Sequence, residues 1–245
     1  MGVLNLSPDS FSGDGLGDDI AAIMTRAKQL VAEGADIIDI GGESTRPGSK
    51  PVPVDEELRL VIPALERLAT EVSVPISIDT YKSEVASRAL KAGANMINDV
   101  WGLQRDSKLA GVVGESGVPV ILVSNQRSAP RHYDIMVEVI SSLKRSINQA
   151  EKAGIASQNI IIDPGIGFGK STEQNMLLIS RLAELKVLGK PILLGTSRKF
   201  TGSQATATTV AIGIANGADM VRVHDVKAMI AVARDSDASV RKAVK

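Results

Sequence analysis

Two groups of side chains with opposite chemistry punctuate this chain, and members of both follow short apolar runs. One group is acidic or amide-bearing: Asp79 in PISIDT, Asn98 in INDV and Asp163 in IIIDPGIGFGKS. A carboxylate at the end of an apolar run has lost much of its water and needs a partner with adjacent donors. An aminopyrimidinone edge, an N–H beside an NH₂, offers that pair. The second group is cationic: Arg46, Lys199, Arg222 and His224, with the hydroxyls of Ser44 and Thr45 beside the first of them. Such a set describes an anion site, with phosphate or pyrophosphate as the natural occupant. Each cation also has a plainer reading. Arg222 alone would form an interior salt bridge, for example to Asp39, and His224 alone would be a neutral histidine that orients its loop. Lys199 as a Schiff-base lysine is disfavoured, because Ser197 and Arg198 do not form the apolar pocket that lowers an amine's pKa.

The stretch IIIDPGIGFGKS, residues 160 to 171, also invites a nucleotide-binding reading through Gly169-Lys170-Ser171. A phosphate-wrapping loop needs four residues between its first glycine and the Gly-Lys pair. Here that first position is Pro164, and Gly165 is one residue too close. Pro164 instead stops the strand, and the glycines let backbone approach a ligand closely.

These residues need elements that bring them together. Strand-like runs occur at 1–6, 35–42, 74–80, 96–100, 119–124, 159–165, 191–197 and 219–226. Each is followed by a segment of helical periodicity, such as DDIAAIMTRAKQLVAEG, VDEELRLVIPALERLATE or YDIMVEVISSLKRSINQAEKAG. Several of these end in Glu-Gly or Ala-Gly, where glycine can take the left-handed cap. Eight βα units in a row predict an α/β fold, a single (β/α)₈ TIM barrel over residues 1–245. A doubly wound open sheet would normally stop at five or six strands and need a linker, and no such linker is visible. In a barrel the site lies at the carboxyl ends of the strands. Asn5, Asp39, Glu43, Asp79, Asn98, Asp99, Ser124, Asn125, Asp163, Ser197, Lys199, Arg222 and His224 all fall there.

The aromatic residues add an independent clue. Phe11, Tyr81, Trp101, Tyr133, Phe168 and Phe200 all fall after strands or at the start of a helix behind a βα loop. A core of Leu, Ile, Val and Ala that reserves its rings for the mouth implies a flat, ring-shaped ligand; a simple lid over the barrel is the plain alternative.

Composition narrows the partners. Twenty-eight basic residues balance 28 acidic ones, so no bulk field draws nucleic acid or an anionic membrane. The chain has no cysteine, hence no thiolate nucleophile and no disulfide framework, which agrees with a reducing cytoplasm. The opening MGVLNLSPDS carries no basic, apolar leader, and no run reaches the ~18 apolar residues of a membrane span. A cytoplasmic protein is expected.

Seven ordered segments, MGVLNLSPDSFSGDG, DIIDIGGESTRPGS, PISIDT, INDV, IIIDPGIGFGKS, LLGTSRK and VRVHDV, closely resemble the successive motifs of the dihydropteroate synthase family. The resemblance spans residues 1 to 226. It implies the barrel fold and a condensation of p-aminobenzoate with 6-hydroxymethyl-7,8-dihydropterin pyrophosphate that gives 7,8-dihydropteroate and pyrophosphate, a reaction sulfonamides inhibit by competing for the p-aminobenzoate position. It further implies that Asp79, Asn98, Asp163, Phe168 and Lys199 hold the pterin. Asn5, Arg46, Arg222 and His224 would bind pyrophosphate, with Asn5 also holding Mg²⁺. Phe11, Thr45, Arg46 and Pro47 would form the p-aminobenzoate pocket, and Asp9 would lie near the developing positive charge, beside Lys199, Arg222 and His224 in catalysis. A homodimer is the family's usual assembly.

The sequence departs from the family pattern at three places. Val123-Ser124 stands where Met-His is usual, Ser12-Gly13-Asp14-Gly15 replaces Ser-Asp-Gly-Gly, and the segment from Phe200 to Ala218 is shorter than usual. The start at strand 1 leads one to expect a preceding segment. Competing readings are a pterin-binding paralogue without turnover, a methyltetrahydrofolate-dependent corrinoid methyltransferase, and a sugar-phosphate aldolase or isomerase. The cations of ESTRPG, SRK and RVHDV weigh against the second, and the aromatic residues and Asp163 against the third.

Overall fold

The computed structural model describes residues 1–7, 15–45, 48–127, 134–197, 199–200 and 202–241. Asp9, Phe11, Arg46, Pro47, Tyr133 and Arg198 therefore lie outside the described residues. Among those described, eight strands alternate with eight α-helices. They run β1 (Gly2–Asn5), α1 (Ile20–Ala32), β2 (Ile38–Gly41), α2 (Val54–Glu71), β3 (Ile76–Asp79), α3 (Ser83–Lys91), β4 (Met96–Asp99), α4 (Leu109–Ser116), β5 (Val120–Val123), α5 (Ile135–Lys152), β6 (Ile160–Asp163), α6 (Thr172–Ser180), β7 (Leu193–Leu194), α7 (Gly202–Ala215), β8 (Met220–Val221) and α8 (Val226–Arg241). Every strand expected from the sequence is present, shortened to its apolar centre.

All pairings are parallel. Strands β1 to β6 form one ladder in chain order, and β7 pairs with β8. The single bridges Ile162↔Ile192 and Gly2↔Val223 join these two sheets into a closed ring. Closure removes the exposed sheet edges that would otherwise template aggregation. The helices begin and end where local chemistry dictates. Asp19 accepts from the Ala22 N–H at 3.0 Å to start α1, and Ser171 and Gln174 form a reciprocal capping box at α6. At the far ends, Gly34, Gly93 and Gly154 take positive φ, as the Glu-Gly and Ala-Gly pairs predicted, and Gly217 after Asn216 does the same.

Two apolar layers result. The larger lies between strands and helices and is built from residues such as Ile40, Ile78, Ile97, Leu122 and Ile162 with Leu65, Val85 and Leu143. The smaller fills the barrel and contains Met1, Met96, Ile121, Ile161 and Leu193, with Ile37 and Met220 packed against it. The period-two alternation that turns these interior residues inward also turns inward the residues two positions later: Asp39, Asn98, Val123, Asp163, Gly195 and Arg222. The barrel floor is thus apolar and its upper end is charged. Phe200 departs from expectation. It packs against the outer layer rather than serving the mouth.

Candidate active site

The charged upper layer is organised around Asp39, which is fully buried. Its Oδ2 accepts from Arg222 Nε at 2.6 Å and from Asn98 Nδ2 at 3.1 Å. A second nitrogen of Arg222 donates to Asp79 Oδ2 at 2.9 Å. The interior salt bridge that was one reading of Arg222 is therefore what forms, and it extends to a second carboxylate. Burial pushes the Asp79 carboxyl up to about 8; Arg222 opposes this and Asp39 reinforces it. The guanidinium itself keeps its charge, since its two carboxylates outweigh the dehydration that would lower it.

Asp163 closes β6 with 6 % of its surface exposed. Its Oδ1 accepts from the Gly165 N–H at 2.6 Å. Burial raises its carboxyl to about 6, while the Gly165 amide, Lys170, Arg222 and Lys199 hold it from rising further. Two buried carboxyls thus share one layer, both raised by burial and Asp79 further than Asp163. Beside Asp163 the interior position of the β7 chain is Gly195. A Cβ there would lie 3.7 Å from Asp163 Oδ2 and 3.9 Å from the Arg222 Cβ, so the missing side chain leaves a slot between the two. Asn98 Oδ1 is buried without a partner among the described residues. An acceptor in that state marks a place where a ligand donor fits.

The glycine-rich segment after Asp163 is a shaped wall and does not wrap a phosphate. Gly165, Gly167 and Gly169 all have positive φ. A Cβ on Gly165 would stand 2.0 Å from the Ser124 carbonyl oxygen, and one on Gly167 would stand 2.7 Å from Lys199 Cδ. Lys170 turns back into its own loop and donates to the carbonyls of Ser124, Gly165 and Phe168 at 2.8, 2.9 and 3.3 Å. The lysine that a nucleotide site would need is consumed by this loop.

At the rim, Lys199 Nζ lies 4.7 Å from the centre of the Phe168 ring. Lys199 keeps exposed surface, yet crowding by protein dehydrates its ammonium. That dehydration, with Arg222 and Arg127 as neighbouring cations, lowers its amine to about 8. The neighbouring cations and close packing thus lower the amine without the apolar pocket of a Schiff-base lysine. His224 has its Nδ1 3.0 Å from Ser197 Oγ, and its carbonyl accepts from Arg26 at 2.9 Å. Ser197 thereby orients the ring. Asn5 is half-buried at the end of β1.

Several mouth residues prove to be occupied with their own loops. Asp99 accepts the N–H groups of Trp101 and Leu103 at 2.8 and 2.6 Å and shapes the β4–α4 turn. Glu43 serves the loop after β2: its Oε2 accepts from Lys82 Nζ at 2.6 Å and from the Val52 N–H at 3.0 Å, while Lys82 also donates to the Val52 carbonyl at 2.6 Å and to Glu57. One ammonium therefore closes both ends of the loop that carries Ser44 and Thr45. A cavity of about 200 Å³ opens beside this loop, lined by Thr45, Asp79, Tyr81, Trp101, Arg105 and Arg127 among others. Arg105 lies across the Trp101 and Tyr81 rings at 4.8 and 5.7 Å. Lys82 and Arg127 were not singled out from sequence, and only Lys82, a polar residue just past a strand end, carried a signal.

A family model described as pterin binding enzyme matches residues 1–224. The dihydropteroate synthase of Bacillus subtilis is 46% identical over 253 aligned residues, which cover 99% of this chain and 88% of that relative. The crystal structure of dihydropteroate synthase from Clostridium difficile in the presence of pteroic acid superimposes with a TM-score of 0.92 at 46% identity, over 98% of this chain and 96% of that one. The Xanthomonas albilineans enzyme with 4-aminobenzoic acid gives a TM-score of 0.91 at 41% identity, over 100% and 93%. A closed parallel barrel with this acidic and cationic mouth is thus a pterin-binding enzyme. Within that class the chain belongs to the dihydropteroate synthase family, whose members are transferases.

Proposed function

We propose that this chain joins p-aminobenzoate to 6-hydroxymethyl-7,8-dihydropterin pyrophosphate, releasing pyrophosphate and 7,8-dihydropteroate. The observation that carries this reading is the buried Asp163 carboxyl beside the Gly195 slot, in one layer with the unpartnered Asn98 Oδ1 and the Arg222–Asp39–Asp79 cluster. Asp163, ionised, accepts from the N–H and NH₂ edge of the pterin. Asn98 Oδ1 and Asp79 complete the reading of the ring, with Phe168 and Lys199 at its outer edge.

In the reaction the bond between the pterin methylene carbon and the pyrophosphate oxygen breaks, and its electron pair leaves with pyrophosphate. The neutral amine of p-aminobenzoate then forms the new C–N bond and gives up a proton. Arg46, Arg222 and His224 stabilise the departing anion, with Lys199 at the rim, and this differential stabilisation is what lowers the barrier. Asp9 supports the positive charge that develops on the methylene carbon. Phe11, Thr45, Arg46 and Pro47 hold the aminobenzoate ring. No protein nucleophile is required.

A Mg²⁺ ion suits the proposal. Among the described residues no cluster of three acidic, histidine or cysteine side chains could cage a metal, and Mg²⁺ typically takes one or two protein oxygens plus substrate phosphates and water. Asn5 would supply one such oxygen, and the ion would neutralise charge on the leaving pyrophosphate. No helix among the described residues is long and apolar enough to cross a membrane, and a cytoplasmic homodimer is the proposed form. The deciding experiment supplies the purified chain with dihydropterin pyrophosphate and Mg²⁺ and follows pyrophosphate release. Release that requires p-aminobenzoate, with dihydropteroate formed in equal amount, supports the reading. Pterin binding without product would overturn it in favour of a binding-only paralogue.

A further inference from the structure

We propose that Arg127 is a positioning residue that couples the aminobenzoate loop to the pterin pocket, an inference that rests on the function proposed above. Its backbone belongs to the pterin side of the mouth. The Arg127 N–H is held by Asn125 Oδ1 at 3.1 Å, and the preceding Gln126 N–H donates to the Phe168 carbonyl at 3.1 Å. A Cβ on Gly169 would stand 2.5 Å from the Arg127 nitrogen, so these two loops touch backbone to backbone.

Its side chain belongs to both sides. The guanidinium carbon lies 4.8 Å from the centre of the Phe168 ring, while one terminal nitrogen donates to the Thr45 carbonyl at 2.5 Å across 82 residues of sequence. Arginine suits this task because its planar head can stack on a ring and donate sideways at the same time. Phe168 also carries Lys199 at 4.7 Å, so the ring is a shared platform for two cations from different loops. Arg127 Nε is buried and has no acceptor among the described residues.

The loop after β2 is thus fastened at its base by Lys82 and at Thr45 by Arg127. Losing the second fastening frees Thr45 while leaving Asp163, Asn98 and the Gly195 slot untouched. The selective consequence is weaker use of p-aminobenzoate.

The test compares Arg127→Ala and Arg127→Lys with wild type in the condensation assay. For Arg127→Ala the KM for p-aminobenzoate should rise about tenfold, with kcat and the KM for dihydropterin pyrophosphate within about threefold. Arg127→Lys should fall between Arg127→Ala and wild type, since it can donate to Thr45 but cannot stack as a plane. Should Arg127→Ala not fold, the lysine variant carries the comparison by itself. An unchanged p-aminobenzoate KM, or an equal loss for both substrates, in variants of an active wild type overturns the proposal alone. A wild type with no turnover overturns the proposed function and this inference together.

Discussion

Asp39 and Arg222 meet at 2.6 Å across 183 residues of sequence, carboxylate Oδ2 against guanidinium Nε. The contact joins β2 to the chain just past β8 and seats the carboxylate inside the barrel, where Asp39 has no exposed surface and Arg222 is half-buried.

Removing one partner of such a pair leaves an uncompensated buried charge. Asp39→Ala should cost about 3–5 kcal/mol of stability, because Arg222 keeps only Asp79 and Asn98 loses its acceptor. Urea unfolding of the variant against wild type checks this. A loss below about 1 kcal/mol, the range of an exposed pair, would mean that water reaches the site freely.

Pterin affinity should fall with acid. Asp163 has its carboxyl raised to about 6 by burial, and the accepting form is the ionised one. Above pH 6 affinity should therefore be level with respect to this group, and below it affinity should fall by up to about tenfold per pH unit. Calorimetric titration with a pterin between pH 5 and 8 reads this directly. A flat profile across that range would show that Asp163 does not accept from the ligand in its ionised form.

Glycines at the mouth should divide into two kinds. Gly165 has φ +72 and a Cβ there would meet a carbonyl oxygen at 2.0 Å, so Gly165→Ala should cost more than about 2 kcal/mol and damage folding itself. Gly195 has no contact closer than 3.7 Å and no positive φ, so Gly195→Val should fold but fill the slot beside Asp163. Thermal unfolding and pterin titration of both variants separate the effects; a Gly195→Val protein that binds pterin normally would place the ring elsewhere.

Lys82 is expected to act through the loop it closes. Lys82→Met leaves Glu57, which is 1 % exposed, without its cation and should cost about 3–5 kcal/mol at neutral pH. Glu57 already has its carboxyl raised, first by burial and against the pull of Lys82. Without the ammonium it can take a proton, so the loss should shrink as pH falls. Unfolding at pH 5 and pH 7.5 tests the sign.

Much of this was legible in the sequence because it is locally encoded. The eight strands are apolar runs bounded by glycine and proline, and the helix ends are marked by Gly34, Gly93, Gly154 and Gly217. Strand ends gave Asp79, Asn98, Asp163 and Arg222 a common face, since barrel topology alone brings them together. What escaped is set by contacts between distant loops. Nothing around Arg127 announces Thr45, and nothing around Lys170 says that its ammonium turns inward to three carbonyls. Asp39 was visible as a partner for Arg222, but its role as hub depends on three strands meeting at once. Phe200 resembled the other rings because all follow strands, and only its packing separates it.

The most direct test of the whole account is the rate of dihydropteroate formation by Asp163→Asn beside wild type, with circular dichroism to verify the fold. The amide is nearly the same size but offers an N–H where the pterin edge also presents donors, so kcat/KM should fall by about 100-fold or more, roughly 3 kcal/mol of transition-state stabilisation, in a folded protein. A folded Asp163→Asn enzyme with near wild-type kcat/KM would contradict the site described above.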